Sequence, residues 1–126
     1  SNLTIPGVET RKLLPLLRRS PQAKIINISS SFASIGRKNG NMPPRYSYSL
    51  SKAAINMFSI TLAGELASDG IIVAAIHPGW VQTGIGGSEA RFTSEESAEA
   101  VLQTIEGLTM KENGRFLLWD GREFEW

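Results

Sequence analysis

The residues most able to do chemistry in this chain are Tyr48 and Lys52, in Tyr48-Ser-Leu-Ser-Lys52. A spacing of four puts a phenol and an ammonium on one helix face, a turn apart. A free tyrosine titrates near ~10, and a cation held close to a phenol favours its phenolate. A phenol tuned in this way exchanges a proton near neutral pH, as general acid–base catalysis requires. On its own the pair carries little weight, because roughly one chain of this size in ten would hold Tyr-x-x-x-Lys by chance. The plain alternative for Lys52 is a solvated helix lysine. Tyr46 competes for the proton role, but position 50 is leucine, so only Tyr48 has a lysine partner.

Those residues must be positioned by regular elements. Asn2 to Arg19 suits a helix with an apolar cluster at Leu13, Leu14, Leu16 and Leu17. Pro15 is expected to kink or loosen its last turn, and Arg18 and Arg19 complement the negative end of its dipole. Lys24 to Ile28 is a short β-branched run that reads as a strand, followed by Ser29-Ser30-Ser31 and a polar loop from Gly36 to Arg45. A second helix is expected from about Ser47 to Ser68, with Ile55, Phe58, Leu62 and Leu66 as its buried stripe. Gly70 is placed to take the left-handed conformation after it. Ile71 to Ile76 is a continuous apolar strand of the kind found in a sheet covered on both faces. His77-Pro78-Gly79-Trp80 breaks it, and a loop runs through Gly84, Gly86 and Gly87. Thr93-x-x-Glu96 reads as a capping box, opening a third helix with an apolar face at Ala98, Val101, Leu102, Ile105 and Leu108. Arg115 to Trp119 is the last expected strand. Alternating helices and strands imply right-handed parallel crossovers in an α/β sheet. Ligands of such sheets bind beyond the carboxyl ends of the strands. Ser29–Ser31, Pro78–Thr83 and Tyr48 all fall on that rim.

Composition removes several other function classes. With 126 residues and 41% apolar, the chain suits one domain with one core. Thirteen basic and twelve acidic residues leave a formal charge of +1, which makes no electrostatic case for nucleic acid or an anionic membrane. The absence of cysteine rules out disulfides and thiolate metal sites, and a single histidine, His77, rules out a histidine-rich one. There is no run of apolar residues long enough to span a bilayer and no leader pattern, so a cytoplasmic protein is expected. The sequence starts at Ser1 and enters directly into a helix-and-strand pattern, from which a missing front half is expected.

Taken together, the motifs resemble the short-chain dehydrogenase/reductase family over its C-terminal half. Tyr48 and Lys52 fit its Tyr-x-x-x-Lys motif. Asn27-Ile28-Ser29-Ser30 looks like the strand-end motif whose second serine is catalytic. Asn2, followed by Pro15, is similar to the helix bearing the family's catalytic asparagine. Pro78-Gly79-Trp80-Val81-Gln82-Thr83 looks like the segment that lies along the nicotinamide. Each has a bland reading as well: Ser30 as a cap or turn, Asn2 as an N-cap, Pro78-Gly79 as turn chemistry. Tyr46-Ser-Tyr48, His77-Pro-Gly-Trp80 and the ending at Trp126 look most like the C-factor and sniffer-type carbonyl reductase branch.

The resemblance implies the C-terminal half of a doubly wound, Rossmann-type α/β domain, with residues 1–126 forming a single domain. It implies Asn2, Ser30, Tyr48 and Lys52 as catalytic residues. Asn27, Tyr48, Lys52, Pro78, Gly79, Val81 and Thr83 would contact NADP or NAD, with NADP favoured. The substrate would be a small carbonyl or alcohol, and no metal is implied. His77 has no catalytic part in the resemblance and reads as strand-end packing. In relatives the helices at Asn2 and Tyr48 pack across a dimer face, so a homo-oligomer stays open. The glycine-rich phosphate loop and the residue selecting NAD or NADP are absent, since no glycine here forms G-x-G-x-x-G between a strand and a helix. The first strand should therefore expose an edge, an aggregation hazard. Two readings follow: part of a nicotinamide-dependent oxidoreductase, or a non-enzymatic signalling or partner-binding protein keeping the fold.

Overall fold

Among the described residues, three strands, β1 (Lys24–Ile28), β2 (Ile72–His77) and β3 (Phe116–Leu118), form a parallel sheet in the order β1-β2-β3. The computed structural model describes residues 4–37, 45–81 and 90–126. The helices are α1 (Thr4–Leu17), α2 (Tyr46–Leu66) and α3 (Ser94–Gly107). Every expected element is present within a few residues of its expected bounds. Gly70 takes φ +72 after a 3-10 turn that extends α2.

β2 dictates the layering. No residue from Ile71 to Ile76 is more than 6% exposed. A strand apolar at every position must be covered on both faces. Val73 packs with Leu62, Ala63 and Leu66 of α2, and Leu14 and Leu17 of α1 join them. Ala74 and Ile76 point the other way, against Val101 of α3 and Leu108 just past it. The strands advance in one direction while α2 and α3 lie on opposite faces. The two strand–helix–strand connections therefore have opposite hands, and the expectation of uniformly right-handed crossovers fails. Stacking α3 beside α1 and α2 would have left Ala74 and Ile76 without that cover.

The faces of two helices also differ from expectation. In α1, Leu14 and Leu17 pack inward, whereas Leu13 is 50% and Leu16 64% exposed. Pro15 lies inside this helix and does not end it. In α3, Leu102 is 60% exposed and Ala98 is exposed, while Ser97 and Val101 are buried. Polar anchors account for that rotation: Ser97 Oγ donates to the Pro78 carbonyl at 2.7 Å and Thr104 Oγ1 to the Trp119 carbonyl at 2.7 Å. Thr93 and Glu96 do form the expected capping box.

The two sheet edges differ. Beyond β3, the Gly121 turn sends residues 122–126 back antiparallel, with Leu118 N–H to Arg122 O at 2.8 Å and Phe124 N–H to Phe116 O at 2.7 Å. At the other edge β1 pairs with β2 alone among the described residues, and Ile28 is 47% exposed. Lys24 braces β1 by donating to the Ile105 carbonyl (2.6 Å) and the Glu106 carbonyl (3.2 Å) at the end of α3, where cations suit the helix dipole. No described helix is long and apolar enough to cross a membrane.

Candidate active site

The carboxyl ends of β1 and β2 open onto a cavity of about 500 Å³. At the end of β1, consecutive serines serve different purposes. Ser29 Oγ donates to Asn56 Oδ1 of α2 at 2.5 Å, deep in the fold. Ser30, only 6% exposed, lines the cavity. Its backbone is extended (φ −155, ψ 152), and its Oγ accepts the Phe32 N–H at 3.2 Å, capping the 3-10 turn Ser31–Ala33. The cap reading of Ser30 is thus true without excluding a second role. Its hydroxyl hydrogen has no acceptor among the described residues.

Tyr48 sits in the first turn of α2, 40% exposed, with its ring edge-on to Phe32 at 5.9 Å. One turn on, Lys52 places its Nζ 5.8 Å from the Tyr48 ring centre. That ammonium donates to the Ile28 carbonyl at 3.3 Å, next to an edge that β1 leaves open. A fixed positive charge therefore stands beside the phenol.

The third wall is the segment after β2. Gly79 has φ +89, and a Cβ there would come within 2.8 Å of the Phe92 ring and 3.3 Å of Trp119. Only glycine fits without strain. Ser97 holds the Pro78 carbonyl, Phe92 N–H holds the Trp80 carbonyl at 3.0 Å, and Val81 bridges Phe92. The segment is thus fixed by contacts from the far side.

Of the site residues expected from sequence, Ser30, Tyr48, Pro78, Gly79 and Val81 line this one cavity, and Lys52 adjoins it through Tyr48. Asn27 turns its Nδ2 to Ser59 Oγ of α2 at 2.8 Å instead of lining the cavity. Asn2 and Thr83 lie outside the described residues. Ser31 and Trp80, which the sequence placed on the rim without a role, complete the lining with Phe32, Arg45 and His77, which it did not assign to the site. Each adjoins or nearly adjoins an expected site residue, and that adjacency was the available signal. Arg45 puts its guanidinium 5.4 Å from the Phe32 ring centre. His77 is the chain's one histidine; burial pushes it down to about 4. Its Nδ1 accepts the Ser31 N–H at 3.2 Å, and its ring lies against Trp119 and Phe124.

Residues 2–106 match the family described as short chain dehydrogenase. Over 117 residues the chain is 32% identical to C-signal of Myxococcus xanthus, covering 93% of this chain and 69% of that protein. It is 35% identical to 1-hydroxy-2-glutathionyl-2-methyl-3-butene dehydrogenase of Rhodococcus sp. (strain AD45), covering 89% of this chain and 50% of that one. The carbonyl reductase Sniffer of D. melanogaster superposes with a TM-score of 0.89 at 35% identity, covering 99% of this chain and 54% of that one. NADPH-bound carbonyl reductase from chicken fatty liver gives 0.89 at 32% identity, with the same coverage. The chain spans about half the length of these solved reductases.

Proposed function

The chain belongs to the short-chain dehydrogenase family, and on that premise we propose that it supplies the proton-transfer half of an NAD(P)-dependent oxidoreductase. Its substrate is a carbonyl compound or the corresponding alcohol. The observation that carries this reading is the convergence of Ser30 and Tyr48 on one cavity, with Lys52 beside Tyr48. Similarity to an NADPH-bound carbonyl reductase favours NADP over NAD.

The donor set fits the nicotinamide end of such a cofactor. Pro78, Gly79 and Val81 offer a wall held in place from its far side, and Thr83 extends it in sequence. Tyr48 and Lys52 would hold the adjoining ribose, with Asn27 supporting the strand end from behind. When bound, the cofactor supplies or accepts hydride at the substrate carbon. The Tyr48 hydroxyl gives its proton to the carbonyl oxygen as negative charge develops there, and takes it back in the oxidative direction. The Ser30 hydroxyl is a second donor to the same oxygen, so two preorganised dipoles stabilise that charge. Lys52 steadies the phenol oxygen as the proton leaves. Asn2 keeps the role the family resemblance implies, fixing a water between Lys52 and solvent.

The test is Tyr48→Phe in the protein encoded by the complete reading frame around this chain. Turnover should fall by on the order of 10²- to 10⁴-fold, while nucleotide affinity, followed by fluorescence titration, stays near wild type. Near wild-type turnover would refute the assignment. Likeness to C-signal raises a second reading, a signalling or partner-binding protein that keeps the fold. It requires that the wild-type protein reduce no carbonyl at all.

A further inference from the structure

We propose that His77 is a positioning residue: its Nδ1 holds the Ser31 amide and thereby sets where the Ser30 hydroxyl points into the cavity. The proposal rests on the oxidoreductase reading above. It starts from the ladder between β1 and β2. The last regular rung is Ser29 N–H to the Ile76 carbonyl at 2.8 Å. In a parallel ladder the next donor on β1 is Ser31, and its partner would be the Pro78 carbonyl. That carbonyl instead accepts from Ser97 Oγ at 2.7 Å, on the side of α3. The strands part here to open the cavity, and the Ser31 N–H would be left without its rung. The His77 side chain supplies the missing acceptor at 3.2 Å.

The consequence for Ser30 is geometric. The Ser30–Ser31 peptide plane is set by the Ser30 ψ angle, so whatever anchors the Ser31 amide also orients the residue before it. The two donors that follow are already used locally: Phe32 N–H bonds Ser30 Oγ, and Ala33 N–H bonds the Ser30 carbonyl at 2.9 Å. Ser31 N–H to His77 Nδ1 ties this turn to β2. The imidazole is itself held, edge-on to Trp119 at 6.1 Å and tilted against Phe124 at 6.2 Å. With Nδ1 accepting the Ser31 N–H, the proton of the neutral ring resides on Nε2, and partial burial keeps that ring neutral. A partly buried histidine at a strand end thus becomes an extension of the ladder.

Two substitutions separate the acceptor from the ring. His77→Phe keeps an aromatic ring against Trp119 and Phe124 but has no acceptor. His77→Asn loses the ring but can place Oδ1 where Nδ1 stood. Both are made in the complete protein and assayed with NADPH and 4-nitrobenzaldehyde, alongside wild type and Tyr48→Phe. We expect His77→Phe to lose on the order of 10- to 100-fold in kcat, as misplacement of a reacting group does. Nucleotide affinity should hold, and His77→Asn should recover most of the loss. In parallel, Ser31 amide hydrogen exchange should quicken in the Phe variant and remain slow in the Asn variant. Should the Phe variant fail to fold, His77→Leu carries the same comparison. Full kcat in His77→Phe, or equal losses in the Phe and Asn variants, would overturn the proposal while leaving the enzyme reading intact. An inactive wild type would overturn both.

Discussion

Acidification should loosen this fold through His77, and the size of the effect follows from its burial. The ring titrates at 6.5 when free, and burial lowers that to about 4. Above pH 6.5 the imidazole is neutral in folded and unfolded chains alike, so pH has no leverage through it. Below 6.5 the unfolded chain binds a proton that the folded one refuses until about pH 4, and stability falls as pH falls. At about 1.36 kcal/mol per pK unit, the loss is about 1.4 kcal/mol at pH 5.5 and about 3 kcal/mol at pH 4. Glu112 is held below its ordinary carboxylate range, chiefly by a backbone hydrogen bond within its own capping box with Thr109. Its titration therefore stays clear of the pH 5.5–7.5 window. The assay is urea unfolding followed by tryptophan fluorescence, for wild type and His77→Phe, across that window. Carboxylates common to both proteins cancel in the difference. Wild type minus variant should fall by about 1.4 kcal/mol from pH 7.5 to 5.5. A difference that stays flat would show that the folded chain accepts the proton freely, and the neutral, partly buried ring would have to be abandoned.

Three further substitutions test the frame around the site. Phe116 is fully buried and meets Phe124 at 5.3 Å and Trp126 at 5.4 Å. Phe116→Ala should cost roughly 3–5 kcal/mol in denaturant unfolding and expose the tail beyond Trp119 to proteases. Ser29→Ala removes the donor to Asn56, whose Nδ2 is already buried without a partner among the described residues. A loss of ~1–3 kcal/mol is expected, and a thermally neutral variant would argue against the contact. Gly79→Ala forces a side chain onto φ +89 and against the Phe92 ring. It should weaken nucleotide binding in a titration more than it lowers the unfolding midpoint, because the strain falls on a cavity wall and not on the core.

Much of this architecture was legible residue by residue. The alternation of helices and strands, the Thr93–Glu96 capping box and the left-handed Gly70 all depend on neighbours a few positions apart. The uninterrupted apolar run of β2 correctly called for two covered faces. The residues gathered at the cavity were legible too, because Tyr48, Lys52, Ser30 and the Pro78–Gly79 pair are defined by type and spacing. That they share a rim followed from the rule that α/β sheets bind ligands at their carboxyl ends.

Other features depended on partners distant along the chain. Leu102 looks like a core residue within its own helix, yet Ser97 and Thr104 take the inward positions because Pro78 and Trp119 offer carbonyls there. The hand of the second crossover turned on covering Ala74 and Ile76, a demand visible only once the sheet is assembled. Asn27 faces Ser59, 32 positions away, and His77 meets Ser31 across 46. Local sequence therefore determined which elements form and which candidate site residues they present, since periodicity, caps and motif spacing act over a turn or two. Tertiary structure decided which faces are buried and which polar groups find each other, because a buried donor takes whatever acceptor packing brings within reach.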